Sequence, residues 1–158
     1  MLEPLADEII IRVRQAAELY YRLVLLVGKA GSGKTAALQV VHERTSAPLF
    51  NVNLELSRRM LDLTERERAL QLPRLLTEIV GTSADDVILV DNIEILFDVS
   101  LMLDPLRLLQ GISRNKTVVA AWNGSIESNH VIYATPDHAE YKRYPLLDFL
   151  LVSKEAVA

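Results

Sequence analysis

Cysteine is absent from the 158 residues. That excludes disulfides, thiolate zinc sites and thiol catalysis, and it is compatible with a reducing compartment. Long apolar runs are missing as well. Half of the residues are hydrophobic, yet no stretch approaches the roughly 20 apolar residues of a membrane helix. The opening "MLEPLADEIIIRVRQ" carries acids where an export signal carries bases, so a soluble, unexported, cytoplasmic protein is expected. No excess of basic charge exists: the net charge of −4 argues against a general nucleic-acid coating role and leaves local basic patches, and so DNA contact, open. Repeats and low-complexity linkers are also lacking, and a chain of this length fits one domain that buries roughly 70% of its unfolded surface.

What is present alternates. Residues 4–21 place Leu5, Ile9, Val13, Ala16 and Tyr20 three or four apart, the spacing of one helical face. Residues 22–27 form a short leucine- and valine-rich run, read as a strand buried on both sides. A helix over 34–45, a strand over 48–53 and a short helix capped by Ser57 follow. Thr64 with Glu67 makes a capping-box pattern, and Pro73 is placed to open or kink a further helix that stops at Gly81. Strands are predicted over 86–91, 116–122 and 130–135, with Asp104-Pro105 starting a helix that ends near Gly111. Apolar strands separated by helical crossovers indicate a parallel sheet covered on both faces. The domain is therefore read as an N-terminal helix over 1–21 and a core over 22–158.

Glycine is scarce, and three of the glycines fall in "LLVGKAGSGKTAALQVV". Gly28, Gly33, Lys34 and Thr35 satisfy the spacing G-x-x-x-x-G-K-[ST], with Lys29, Ala30, Gly31 and Ser32 between them and Ala36 after. Small residues let successive N–H groups turn inward around an anion, and the helix that starts at this point adds its positive end. Lys34 is expected at the β- and γ-phosphates of a nucleotide and the Thr35 hydroxyl on Mg²⁺. Asp91 closes the apolar run "VILV", at the end of a strand where ligands of open α/β sheets lie, and is the second candidate for Mg²⁺.

The base for water attack is less directly written. The residue after Asp91 is Asn92, and an amide is no useful proton acceptor. Glu94 and Glu55 each follow a predicted strand closely enough to approach the γ-phosphate, and each equally suits a solvated or capping acid. Asn123 ends the fourth strand, where a polar sensor would touch the γ-phosphate or the attacking water, although Asn-Gly is also an ordinary turn signal. Tyr133, Tyr141 and Tyr144 stand beside His138, Lys142 and Arg143 in the tail, a pattern that suits either a stacking surface for bases or partners, or edge packing with hydroxyls at the rim. Between the fourth and fifth strands "GSIESN" is too short for an arginine-finger helix, and no helical lid is expected.

The blocks "GKAGSGKT", "LFNVNLELS", "ILVDNIEILFD", "LDPLRLLQGISRNKTVVAAWNG" and "YATPDHAEY" together resemble the BrxF family, the small P-loop proteins of type 3 BREX phage-defence systems, over nearly the whole chain. The resemblance implies a bacterial cytoplasmic ATP-binding component acting with other BREX proteins, among them a methyltransferase and larger ATPases. It also implies nucleotide and Mg²⁺ binding by Gly28, Gly33, Lys34, Thr35 and Asp91, and it favours ATP over GTP. The resulting expectation is an α/β protein: a three-layer P-loop NTPase core of the additional-strand, AAA-like type with a mostly parallel five-stranded sheet. Hydrolysis that is slow, partner-dependent or absent fits Asn92, and the missing groups make a homo-oligomer plausible. The alternatives are a small-molecule kinase, with Arg58, Arg59, Arg66 and Arg68 holding an acceptor phosphate, and a nucleotide-stabilised scaffold without turnover.

Overall fold

A computed structural model describes residues 2–153. Helix α1 (Leu2–Ala16) leads to strand β1 (Leu23–Gly28), helix α2 (Lys34–Thr45), strand β2 (Leu49–Asn51) and helices α3 (Val52–Arg59) and α4 (Glu65–Gly81). Strand β3 (Val87–Asp91) runs into 3₁₀ turns at Ile93–Phe97 and Val99–Leu101, then helix α5 (Pro105–Ile112) and strands β4 (Thr117–Glu127), β5 (His130–Tyr133), β6 (Lys142–Pro145) and β7 (Leu150–Ser153). The sheet order is β2-β3-β4-β1-β7, parallel throughout. Strand β4 is thus inserted between β1 and β3.

Every residue of β1 is buried, because the strand is covered on both faces. Leu23, Leu25 and Val27 point with Leu56, Leu72, Leu76 and Ile79 into one core; Val24 and Leu26 point with Leu5, Ile9, Leu38 and Val41 into the other. The period of two along the strand thereby builds three layers from one sequence run. Helix α1 belongs to the second core, and Arg44 of α2 ties it at the rim through Asp7 at 2.7 Å. No helix among the described residues is long and apolar enough to cross a membrane.

Several boundaries differ from the sequence reading. Helix α1 stops at Ala16, so Tyr20 lies outside it and is exposed. Strand β2 is only three residues long, because the Asn51 side chain accepts from the Leu54 N–H at 3.0 Å and starts α3 there. Ser57 consequently sits inside α3 and caps nothing. Pro73 does not open a helix but lies within α4. A helix-interior proline costs about 3 kcal/mol. Burial of Leu72, Leu75, Leu76, Ile79 and Val80 on the same helix, at roughly 1.5 to 3 kcal/mol each, outweighs it. The Thr64–Glu67 capping box forms in both directions, and Asp104 caps α5 as its position suggests.

The fifth parallel strand is β7 beside β1, whereas residues 130–133 turn back antiparallel onto the second half of β4. Strand β6 extends that hairpin. Gly124 permits the reversal: a Cβ there would lie 1.8 Å from the Ile132 carbonyl oxygen. The Trp122 indole donates to the same oxygen at 3.2 Å. Phe97 stacks on Tyr133 with ring centroids 3.6 Å apart, and Trp122 meets both edge-on. Tyr144 lies edge-on to Trp122 and donates its hydroxyl to Asp104 at 2.8 Å. Tyr133 and Tyr144 of the tail are therefore core and rim, and no platform for bases is built from them. Among the described residues no helix follows α5.

Candidate functional site

The chain leaves β1 at Gly28 and enters α2 at Lys34 through a loop with Gly31 and Gly33 at φ +77° and +99°. These left-handed conformations are where glycine avoids the Cβ clash, and α2 starts directly after them. Lys34 is buried to 6% exposure, and its ammonium donates to the carbonyls of Gly28 at 2.9 Å and Lys29 at 2.6 Å, with Ser32 Oγ at 3.4 Å. The loop thus holds a cation at the mouth of the helix.

Across the opening, the Thr35 hydroxyl donates to Asp91 Oδ2 at 2.5 Å, and the Asn92 N–H donates to Oδ1 at 2.8 Å. Asp91 is itself 8% exposed. A hydroxyl from α2 and a carboxylate from β3, both fixed and both oxygen, suit a hard divalent cation that keeps waters and phosphate oxygens for the rest of its shell. The residues fit Mg²⁺ and a nucleotide polyphosphate: Thr35 and Asp91 would hold the ion, and Lys34 with the loop amides the phosphates. When bound, the ion neutralises phosphate charge.

A cavity of about 780 Å³ joins these groups, lined by Ala30, Gly31, Gly33, Lys34, Thr35, Ala36, Gln39, Asp91, Asn92, Glu94 and Asn123. Its size is that of a small-molecule site. Gly28, Lys29 and Ser32 do not line it; their contribution is to hold the Lys34 ammonium. Asn123 is brought in by register, since it pairs with Gly28 where β4 runs beside β1. Strand β4 continues through Asn123-Gly124, so that dipeptide makes no turn.

Glu94 arrives by a backbone reversal. Asn92 has φ +55°, and its carbonyl accepts from the Asn53 N–H at 3.0 Å, so the chain curls directly after Asp91 into the first 3₁₀ turn. Burial lifts the Glu94 carboxyl above its ordinary range; the Asp91 charge adds to the lift, while a hydrogen bond to its own backbone and the Lys34 ammonium oppose it. Burial likewise pushes the Tyr133 hydroxyl up to about 12, with Glu94 and Glu140 contributing.

Glu55 is not in the cavity. It lies on α3, paired with Arg59 at 2.7 Å and Arg58 at 3.8 Å, because the early start of α3 carries it away from the end of β2. Arg58, Arg59, Arg66 and Arg68, the arginines of an acceptor-phosphate site, are likewise outside it: Arg68 donates to the Leu63 carbonyl at 3.1 Å, and none of the four lines the cavity. Gln39 went unread, although it stands four residues after Thr35 on α2 and so shares its face.

Fold and site together define a nucleotide-binding P-loop ATPase. Residues 24–123 match the family model described as "ATPase family associated with various cellular activities (AAA)", and the chain belongs to that family. Among solved structures, Caenorhabditis elegans PCH-2 is similar at 16% identity and a TM-score of 0.44 over 96% of this chain. The chain spans 41% of the length of that protein. None of the curated proteins matches it.

Proposed function

We propose that this protein is a Mg-ATP-binding and hydrolysing component of a bacterial phage-defence assembly of the BREX type, in which the bound nucleotide controls contacts with partner proteins. The observation that carries the nucleotide part is the single cavity uniting the Lys34 loop, the Thr35–Asp91 pair and the polar groups Glu94 and Asn123. The defence role is supported by the BrxF-like sequence blocks, which extend beyond the phosphate loop into β3, β4 and the hairpin. Nucleotide control follows the usual logic that a γ-phosphate biases loops at the carboxyl ends of strands.

Titration calorimetry with Mg-ATP, Mg-ADP and Mg-GTP tests the binding, with Lys34→Ala as the control that should lose about 100-fold or more in affinity, as loss of a charge-assisted phosphate contact allows. Phage challenge of cells carrying the complete defence locus tests the role: Lys34→Ala should abolish protection. Undiminished protection, or no affinity of the unaltered chain for any of the three nucleotides, overturns the reading. Asn92 favours a second reading, a nucleotide-held scaffold without turnover, because the position after Asp91 offers no proton acceptor.

A further inference from the structure

The AAA site described above has its metal and phosphate groups in place but an amide where an acid would directly follow Asp91. We propose that Glu94 accepts the proton of the attacking water in this chain, and that the Phe97–Tyr133 stack is what positions it. The inference rests on the Mg-ATP reading and removes the scaffold alternative.

Three observations carry it. First, Asn92 adopts a left-handed backbone at φ +55°, a conformation asparagine takes up more readily than most residues with a side chain. It turns the chain so that Ile93 enters the core and Glu94 faces the cavity that Lys34, Asp91 and Asn123 also line. Second, side chains three apart eclipse in a 3₁₀ helix. Glu94 and Phe97 therefore stand on one edge of the Ile93–Phe97 turn, and Phe97 is clamped against Tyr133 at 3.6 Å with the planes 10° apart. Third, Trp122 closes the aromatic group edge-on to Phe97 at 5.1 Å, and the residue that follows it on β4 is Asn123. The aromatic group thus anchors the turn that carries the carboxylate beside the strand that carries the amide, and both residues line the cavity.

In the step itself, the water oxygen bonds to the γ-phosphorus while the bond from that phosphorus to the β–γ bridging oxygen breaks, its electron pair leaving with ADP. The water proton passes to the Glu94 carboxylate and then to the released phosphate. Atoms and charge balance with ATP and water alone. Asn123 is placed to orient the water.

The test is single-turnover hydrolysis of Mg-ATP, with affinity measured in parallel. Glu94→Gln should slow phosphate release by about 100-fold or more, the lower end of what a positioned base supplies, and keep affinity within threefold. Tyr133→Leu should slow it about tenfold through misplacement of Glu94, again at unchanged affinity. Tyr133→Phe, which returns the ring, should restore the rate lost in Tyr133→Leu. Hydrolysis by Glu94→Gln within threefold of the unaltered chain overturns the proposal. So does an unaltered chain that binds Mg-ATP and releases no phosphate, a result that leaves the binding reading standing. An unaltered chain with no affinity for Mg-ATP instead overturns the binding reading first.

Discussion

The phosphate loop and the β4–β5 hairpin both depend on glycine, and they use it in opposite ways. At Gly31 an added Cβ would meet nothing within 4 Å; glycine is there for its φ of +77° and for the emptiness a polyphosphate fills. At Gly124 a Cβ would strike the Ile132 carbonyl at 1.8 Å and the Trp122 indole nitrogen at 2.9 Å; glycine is there because the space is already taken. The loop needs glycine for its backbone conformation around a ligand, whereas the hairpin needs the missing side chain to pack a core of stacked rings. Residues of the first region should govern the response to nucleotide, and residues of the second should govern whether the domain folds.

Substitution at the hairpin should give the largest loss. Gly124→Ala forces either the hairpin apart or the indole out of place, and overpacking against backbone costs about 3 kcal/mol or more. Urea denaturation should show a midpoint far below that of the unaltered protein. If the variant still folds in the cold, added Mg-ATP should raise its melting temperature as before, because the phosphate cup is untouched. A midpoint within experimental error of the parent would break the comparison.

Asp104→Ala tests the same region from the far side. Its carboxylate caps α5 through the Arg107 N–H and accepts the Tyr144 hydroxyl. Losing a cap and an exposed hydrogen bond together should cost about 1 to 2 kcal/mol, with nucleotide affinity unchanged by calorimetry. Gly31→Ala should do the reverse. A left-handed alanine costs about 1 kcal/mol in the denaturation curve, a smaller fall than either hairpin change, yet the stabilisation by Mg-ATP should shrink or vanish. An undiminished thermal shift in Gly31→Ala would show that the loop does not hold the phosphates.

The difference in how readily the two regions were read has the same physical root. The phosphate loop is local: Gly28 to Thr35 and the Asp91 that ends a strand carry their chemistry in short spacings, and the cavity gathers Lys34, Thr35 and Asp91 from them. The capping box at Thr64 and the N-cap at Asp104 were legible for the same reason. What escaped depends on distant pairing. Nothing in 130–135 says that it will fold back on β4 while residues 150–153 join β1, since both are short apolar runs and the choice lies with partners elsewhere in the chain. Asn51 was overlooked because a strand of three residues leaves no alternation to mark its end, and that misplacement carried Glu55 with it. Glu94 and Glu55 stand alike in the sequence, and only the backbone reversal at Asn92 separates them.

Tyr133→Phe gives the smallest effect at neutral pH and sharpens the comparison in alkali. The phenol has an ordinary pKa of 10.0, pushed up to about 12 by burial in the hairpin core and by the nearby Glu94 and Glu140 charges. Below pH 10 it is protonated whether the chain is folded or not, so it adds no pH dependence there. As pH rises from 10 toward about 12, the unfolded chain releases the proton and the folded one keeps it, so stability falls across that window. Tyr144 is raised too, by burial and by its bond to Asp104, and should contribute a second part of the decline. Denaturation midpoints taken at successive pH values should therefore fall less steeply in Tyr133→Phe than in the unaltered protein, with the two curves together near pH 7. Equal slopes would place the Tyr133 hydroxyl in water, and the stack that holds Glu94 would then be looser than its 3.6 Å spacing.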